Sequence, residues 1–296
     1  MEASRRAFLK RLGAVGAGMF GLRSLLVDFG WGQTQNPLLA EGYGPLLPDP
    51  RGIIDLPAGF TYQVFSAAGE ALSDGLVVPG NHDGMAAFWG PNGKTILIRN
   101  HELTQGAGGA FGARNALLGQ VDRSLIYDPG RGQAPALGGT TTLVYDTRRR
   151  RLDRHFLSLA GTIRNCAGGA TPWNSWITCE ENVQRATGTF EKDHGFCFEI
   201  PASPYSGLVT PVPLQALGRF NHEAVAVHPA LGIVYLTEDR DDGLLFRFLP
   251  NRPGQLAEGG RLQALVIRDR RSADTRNWEQ QLVPLGLLLS AGWVDL

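Results

Sequence analysis

A hairpin pattern that recurs along the chain is the feature that most constrains its fold. Residues 79–102 read PGNHDGMAAFWGPNGKTILIRNHE, and residues 217–239 read LGRFNHEAVAVHPALGIVYLTED. Each copy has an Asn-His-acid triplet, a short apolar strand, a turn with Pro and Gly, a second strand and a second polar cluster. Residues 165–181, NCAGGATPWNSWITCEE, form a third and looser copy. In an antiparallel hairpin the first strand begins beside the end of the second, so both polar clusters of a copy belong at one sheet edge.

The rest of the sequence indicates an all-β fold. Glycine supplies 39 of the 296 residues, and short β-branched or aromatic runs alternate with turn residues, whereas helical periodicity is hard to find after the N-terminus. Hairpins repeated around an axis make a β-propeller, whose innermost strands direct these polar clusters to one central mouth. A sandwich of two sheets is the alternative, and it would scatter the clusters.

The acids at the strand ends are candidate metal ligands. In a propeller we expect the following acids to converge: Asp83, Glu102, Glu180, Glu181, Glu223, Glu238 and Asp239. Carboxylates held together raise one another's pKa values unless cations neutralise them, and hard oxygen ligands suit calcium. Nitrogen and sulfur donors nearby extend the choice to a transition metal such as iron. These donors are His82, His101 and His222, with a thiol from Cys166 or Cys179.

Each of these residues also has a simpler interpretation. A single histidine in such a triplet is more often a hydrogen-bonded turn residue, and a single strand-end glutamate is usually solvated. The recurrence of Asn-His-acid at 81–83, 100–102 and 221–223 is poorly explained by solvation and favours metal ligation for the set. Cys179 suits a buried thiol as well as a ligand, because apolar strand residues precede it. Four further residues are interpreted as structural: Cys197, His155, His194 and His228.

Four arginines lie next to the repeated clusters: Arg99, Arg164, Arg219 and Arg240. A guanidinium at such a position would bind a tetrahedral oxyanion through two parallel hydrogen bonds. A salt bridge to the adjacent acid is the alternative for each. We assign the catalytic role to Arg99 and Arg219.

The N-terminal sequence predicts an export signal, and a short basic amphipathic helix of a cytosolic protein is the alternative. Residues 4–10 read SRRAFLK, which is a twin-arginine motif, and a Gly/Ala-rich apolar stretch follows. Arg23 interrupts this stretch before it reaches the roughly 20 residues of a membrane span. We therefore predict a signal and flexible leader at 1–40, one domain at 41–296, and export in folded form to the periplasm by the twin-arginine machinery.

Charge and cysteine content limit the partners. With 28 basic and 28 acidic residues the chain has no net charge, which argues against nucleic acid and favours a small molecule as partner. The three cysteines are an odd number, so a disulfide framework does not hold the fold. We expect a monomer.

Four segments carry a resemblance to a known family. They are NHEL, NCAGGATPWNSWITCEEN, GRFNHEAVAVHPALGIVYLTEDR and DGLLFRFLPN, and they resemble the PhoX-type alkaline phosphatases. The resemblance runs from about Asp55 to the C-terminus. It implies a six-bladed β-propeller that hydrolyses phosphomonoesters at a mouth holding ferric iron and calcium ions bridged by oxygen. It also implies metal ligation by Glu102 and by Glu180 or Glu181, with Glu223 as a further candidate.

The chain departs from the family pattern in two places. Asn81-His82-Asp83 stands where an Asn-Cys-Asp segment supplies an iron thiolate, so we expect a histidine in place of the sulfur. The chain stops at SAGWVDL, where related sequences continue with an Arg-Pro-Glu-Gly-type segment. We therefore expect a propeller that is incomplete at the C-terminus, as a fragment, as one part of an assembly or as an inactive relative.

These observations predict a metal-dependent phosphomonoester hydrolase of the periplasm, with Ca²⁺ and Fe³⁺ as cofactors. The predicted metal ligands are His82, Asp83, Glu102, Cys179, Glu180, Glu181 and Glu223. A calcium-dependent propeller lactonase is one alternative, and a truncated, non-catalytic metal-binding propeller is another.

Overall fold

The structure is a computed structural model, and it describes residues 42–205 and 207–296. The predicted twin-arginine signal and leader at 1–40 lie outside the described residues. The chain divides into two compact units, with the boundary between Gln63 and Val64. In the first unit, the Asp49 carboxylate accepts hydrogen bonds from the Tyr62 hydroxyl (2.5 Å) and from the Ile53 N–H (2.8 Å). The predicted domain boundary between residues 40 and 41 stays a prediction.

The described residues contain fourteen β-strands and no α-helix, so the prediction of an all-β chain is confirmed. The strands are β1 (Leu46–Leu47), β2 (Leu56–Pro57), β3 (His82–Trp89), β4 (Lys94–His101), β5 (Gly138–Asp146), β6 (Arg151–Thr162), β7 (Asn165–Ala170), β8 (Ser175–Glu180), β9 (Cys197–Pro201), β10 (His222–Val227), β11 (Val234–Glu238), β12 (Leu245–Pro250), β13 (Gly260–Ile267) and β14 (Ala291–Asp295). Short 3₁₀ turns occupy several loops. No helix in the described part of the chain is both long and apolar enough to cross a membrane.

The strands of the second unit form three antiparallel sheets among the described residues. Their orders are β3-β4-β5-β6, β7-β8-β9 and β10-β11-β12-β13-β14, so every strand pairs with its neighbour in the sequence. Strands β1 and β2 form a separate pair in the first unit. Up-and-down sheets of this kind are the blades from which propellers are built.

Each hairpin predicted from the sequence consists of the first two strands of one sheet. The first strand of each hairpin (β3, β7 or β10) is called the inner strand. Each hairpin pairs the first residue of its inner strand with the last residue of the next strand: His82 with His101, Asn165 with Glu180, and His222 with Glu238. In each hairpin the register then shifts before regular pairing resumes three residues further along the inner strand. Two residues of the inner strand therefore oppose one residue of its partner, which is a β-bulge. The looser copy at 165–181 shares this bulge and is a true repeat.

The inner strands β3, β7 and β10 lie side by side, and glycine makes this approach possible. A Cβ on Gly84 of β3 would stand 2.8 Å from the Cα of Ala167 in β7. A Cβ on Gly169 of β7 would stand 2.1 Å from the carbonyl oxygen of Val225 in β10. Three sheets that share a row of inner strands form a propeller-type arrangement, as predicted, and not a two-sheet sandwich. The six blades and the C-terminal incompleteness stay predictions.

Apolar side chains fill the space between neighbouring sheets. Ile96 and Phe156 of the first sheet pack in one cluster with Trp176 and Phe198 of the second. Ile177 and Cys179 of the second sheet belong to another cluster, which contains these residues of the third sheet: Val234, Leu236 and Phe248. Cys197 is fully buried in this second cluster, as expected for a strand thiol. The core thus fixes the sheets face to face and holds their inner hairpins at a common edge.

The substitution Gly169→Ala tests the close approach of β7 and β10. We expect the free energy of unfolding to fall by about 3 kcal/mol, because the new methyl group overlaps the Val225 carbonyl and forces the strands apart. Urea unfolding followed by tryptophan fluorescence measures the change. Gly119→Ala is the control, since nothing lies within 4 Å of its Cβ position. Equal unfolding midpoints for the two variants would contradict the packing described.

Candidate metal centre

Each inner hairpin places an acidic residue directly after its second strand. These residues are Glu102, Glu181 and Asp239. The backbone N–H of each donates to the carbonyl of the residue that precedes the first strand, in the pairs Glu102 to Asn81 (2.8 Å), Glu181 to Arg164 (2.9 Å) and Asp239 to Asn221 (3.0 Å). The same hydrogen bond in all three repeats sets the three acids at equivalent positions of the sheet edge.

The bulges supply a second set of equivalent positions. The first bulge residue is Asp83 in β3, Cys166 in β7 and Glu223 in β10. Because a bulge redirects the strand locally, these side chains leave the regular alternation of the strand. The three hairpins therefore contribute an acid or thiol at the start of the inner strand and an acid after the second strand.

Five carboxylates from the three hairpins meet at this edge, and we call them the acidic cluster: Asp83, Glu102, Glu181, Glu223 and Asp239. Asp83 shares a hydrogen bond with Glu102, and Glu181 shares one with Asp239. Burial raises the pKa of Glu223, and the charges of Asp239, Asp83 and Glu102 raise it further. The convergence expected for a propeller mouth is therefore present in the structure. Glu238 instead accepts a hydrogen bond from the N–H of Leu244 (3.3 Å).

Three members of this edge offer a ready-made group of metal ligands. The Cys166 sulfur, a Glu181 oxygen and a Glu223 oxygen all lie within 4.8 Å of one another. Burial raises the pKa of Cys166 far above its usual value, and burial with the hydrogen bond to Asp239 raises the pKa of Glu181 to about 7. The surroundings thus oppose the negative forms of these side chains, and a bound cation would favour them. The donor set fits a metal ion.

Glu180 lies in a different place from its neighbour Glu181. It is fully buried, and its carboxylate accepts hydrogen bonds from the N–H groups of Ile163 (2.9 Å), Gly195 (2.8 Å) and Phe196 (3.1 Å). The His194 ring donates to it from Nδ1 (2.6 Å). The Glu180 oxygens are occupied inside the protein, and the residue is not part of the ligand group.

His194 stands between two buried carboxylates. Its Nδ1 lies 2.6 Å from Glu180, and its Nε2 lies 3.1 Å from Asp128. Burial opposes the charge on the ring, but the hydrogen bonds to Asp128 and Glu180 outweigh it and raise the pKa of His194 to about 9. Both ring nitrogens therefore donate, and the charged ring joins the loop after β8 to the loop that holds Asp128. This agrees with the structural role expected for His194.

Cys179 is buried in the apolar core between the second and third sheets. Its sulfur lies 3.6 Å from that of Cys197, its partner on β9, and burial raises its pKa well above the usual value. Cys179 is also absent from the ligand group, where Cys166 stands instead. Cys166 was discernible in the sequence, because it occupies the bulge position of Asp83 and Glu223 in the aligned repeats.

Each histidine of the triplets has a ring nitrogen within hydrogen-bond distance of a backbone carbonyl. His82 is exposed and its Nε2 lies 2.9 Å from the carbonyl of Pro79. Burial lowers the pKa of His101 to about 3, and both of its nitrogens have partners, the Gly80 carbonyl (2.9 Å) and the Thr141 hydroxyl (2.9 Å). Burial also lowers the pKa of His222, to about 4. None of the three is in the ligand group found among the described residues.

Three of the four arginines point to partners other than the acidic cluster. Arg99 is buried, and it donates to the Ser66 carbonyl (3.0 Å), the Ser66 hydroxyl (2.9 Å) and the Thr141 hydroxyl (3.2 Å). Arg219 donates to two backbone carbonyls, of Val183 (2.5 Å) and Gln184 (3.2 Å). Arg240 pairs with Asp242 (3.0 Å). The remaining arginine is Arg164, whose Nη2 lies 2.7 Å from Glu102 and 2.5 Å from Glu181.

Comparison with known proteins places these features in a family. The family model described as alkaline phosphatase PhoX matches residues 41–296. A solved structure, PhoX of Pseudomonas fluorescens in complex with vanadate, a transition state analogue, is similar with 18% sequence identity and a TM-score of 0.45. The match covers 68% of this chain and 48% of that one, so the chain spans about half of that structure's length. Among curated proteins, none is significantly similar to the chain.

The buried His194 predicts a distinct dependence of stability on pH. Its pKa is about 9 in the folded protein and 6.5 without neighbours, so the stabilisation is complete below pH 6.5 and is lost as pH rises through about 9. We expect the free energy of unfolding to fall by about 2–3 kcal/mol over this range in the wild type. His194→Gln should be less stable and should lack this slope. Urea unfolding at several pH values measures both effects.

The exposed His228 provides the control for this experiment. His228→Gln should keep the slope of the wild type, because the His228 ring accepts hydrogen bonds from the exposed N–H groups of Ala230 and Leu231 and has no carboxylate partner in the described structure. A wild type and a His194→Gln variant that lose stability equally across this range would refute the assignment.

Proposed function

The chain belongs to the PhoX family of alkaline phosphatases, and we propose from this premise that it hydrolyses phosphate monoesters at the acidic cluster with the help of bound cations. The convergence of five carboxylates and a thiol from three separate hairpins at one sheet edge carries the proposal. Surface solvation alone does not explain this arrangement, because Glu181 and Glu223 are half-buried and their oxygens lie within 4.8 Å of the sulfur of the buried Cys166.

The electrostatics of the cluster support a need for cations. A phosphate monoester carries negative charge near neutral pH, and carboxylates alone would repel it. Arg164 supplies one positive charge among five carboxylates, which leaves the cluster negative when they are ionised. A phosphate group therefore binds here only when cations have offset most of this charge.

The ligand types suggest which cations fit. Cys166, Glu181 and Glu223 combine sulfur with oxygen, which suits a transition metal, and we propose Fe³⁺ at this group. Asp83, Glu102 and Asp239 offer oxygen alone, which suits Ca²⁺. Bound at the cluster, such cations supply charge stabilisation for the phosphoryl group and activate an oxygen nucleophile.

We propose the cellular setting from the N-terminal sequence. The twin-arginine motif at residues 4–10 supports export of the folded protein, with its metals already bound, to the periplasm. The balanced charge of the chain supports small phosphate esters as substrates, with no nucleic acid partner. We propose that the protein acts there as a monomer.

Elemental analysis beside an activity assay tests the proposed function. The full chain, purified without chelators, should contain iron and calcium and should hydrolyse p-nitrophenyl phosphate at alkaline pH. Treatment with a chelator should abolish hydrolysis, and the return of both metals should restore it. Bound metals without turnover would favour a non-catalytic metal-binding propeller. Calcium without iron, together with hydrolysis of a lactone, would favour the lactonase.

The adjacent glutamates Glu180 and Glu181 give a matched pair for the ligand assignment. Glu181→Gln removes a carboxylate from the group proposed for iron, so we expect the iron content of the purified protein to fall about tenfold or more while the metal-free protein keeps its stability. Glu180→Gln leaves the charged His194 without one of its carboxylates, so we expect the free energy of unfolding to fall by about 3 kcal/mol. Elemental analysis of the purified proteins and urea unfolding of the metal-free proteins separate the two effects. The reverse result, with metal lost only in Glu180→Gln, would overturn the assignment.

A further inference from the structure

Arg164 lies beside two carboxylates of the acidic cluster, and hydrogen bonds hold its backbone on both sides. It lies in the turn between β6 and β7 and adopts a positive φ of 46°. Its N–H donates to the Leu103 carbonyl (2.7 Å), and its own carbonyl accepts from the Glu181 N–H (2.9 Å). These bonds join it to the chain that follows β4 and to the chain that follows β8. The residue therefore links two of the three hairpins that build the site.

The Arg164 side chain is held by the carboxylates that we propose as metal ligands. Its Nη2 lies 2.7 Å from the Glu102 oxygen and 2.5 Å from the Glu181 oxygen. Its Nε is buried and has no hydrogen-bond partner among the described residues. The side chain as a whole is 39% exposed, so a solute that enters the mouth can reach the guanidinium. Both carboxylate contacts are made by one nitrogen of the guanidinium, Nη2.

We propose that Arg164 is the residue of the acidic cluster that binds the phosphate group of the substrate, and that Glu102 and Glu181 release it when they bind cations. The inference rests on the proposed function. Arg99, Arg219 and Arg240 are directed to other partners in the described structure, which leaves Arg164 as the guanidinium among the cluster's carboxylates.

Competition for the same oxygens explains the exchange. A carboxylate oxygen that held a cation would be a weaker acceptor for a guanidinium, and the two positive charges would repel each other. The guanidinium would then be free to pair with a phosphate group at the cluster. The planar guanidinium can donate two parallel hydrogen bonds to two oxygens of a phosphate group.

Two titrations of the full chain test this exchange. The first adds Ca²⁺ to metal-free protein, and the second adds inorganic phosphate to metal-loaded protein, both followed by calorimetry. Arg164→Ala should bind Ca²⁺ about tenfold more tightly, because its competitor is gone, and should bind phosphate about ten- to a hundredfold more weakly. The two affinities move in opposite directions, which a merely structural role of Arg164 does not produce.

Two further variants complete the experiment. Arg164→Lys keeps the competing positive charge but loses the planar guanidinium, so Ca²⁺ affinity should stay near the wild-type value while phosphate binding weakens. This variant tests the proposal if Arg164→Ala fails to fold. Arg252→Ala is the matched control, because Arg252 also pairs with a glutamate, Glu258 (3.1 Å), in the loop between β12 and β13. It should change neither affinity.

The outcomes distinguish this inference from the proposed function. Unchanged phosphate affinity in both Arg164 variants, with a wild type that hydrolyses p-nitrophenyl phosphate, would overturn the role of Arg164 alone. Weaker binding of both Ca²⁺ and phosphate in Arg164→Ala would show that Arg164 only maintains the structure of the cluster. A metal-loaded wild type that neither binds phosphate nor hydrolyses the ester would overturn the proposed function together with this inference.

Discussion

One backbone hydrogen bond, repeated three times, fixes where the candidate site lies. It closes each inner hairpin by joining the residue after the second strand to the residue before the first, at 2.8, 2.9 and 3.0 Å. An antiparallel hairpin closed in this way must present both of its polar ends at one edge. The glycines that let β3, β7 and β10 lie side by side bring the three edges together. The meeting of acids is thus a consequence of backbone pairing.

The structure contains two groups of carboxylates with opposite electrostatics, a fully buried pair and the partly exposed acidic cluster. Glu180 and Asp128 surround a charged His194 and accept several N–H bonds, so their negative charge is neutralised within the protein. In the acidic cluster, Arg164 pairs with two of the five carboxylates, and burial raises the pKa values of Glu181 and Glu223. The first group stabilises the fold, whereas the second, under the proposed function, takes its partner from solution. This contrast is the usual distinction between a structural ion pair and a functional site.

The sequence revealed the repeat, the all-β fold and the convergence of the acids, because each follows from local patterns such as strand periodicity and turn residues. It did not distinguish Glu180 from Glu181. Adjacent side chains at a strand end point to opposite faces, so one faces the core and the other the mouth, and only the packing of the neighbouring sheets decides which. The positions of Arg99 and Arg219 depend on distant partners, Ser66 and Val183, that no local pattern indicates.

The side chain at the bulge differs among the three repeats, and this difference bears on what the site can bind. The bulge residue is an aspartate, a cysteine or a glutamate, although the backbone around each is the same. A purely structural bulge has no need of an ionisable side chain at all three positions. A site that binds cations of different kinds does need oxygen on all sides and sulfur on one, because sulfur favours the softer ion and oxygen the harder one. Under the proposed function, the three hairpins thus provide one geometry in which the thiol at the middle repeat would select the metal.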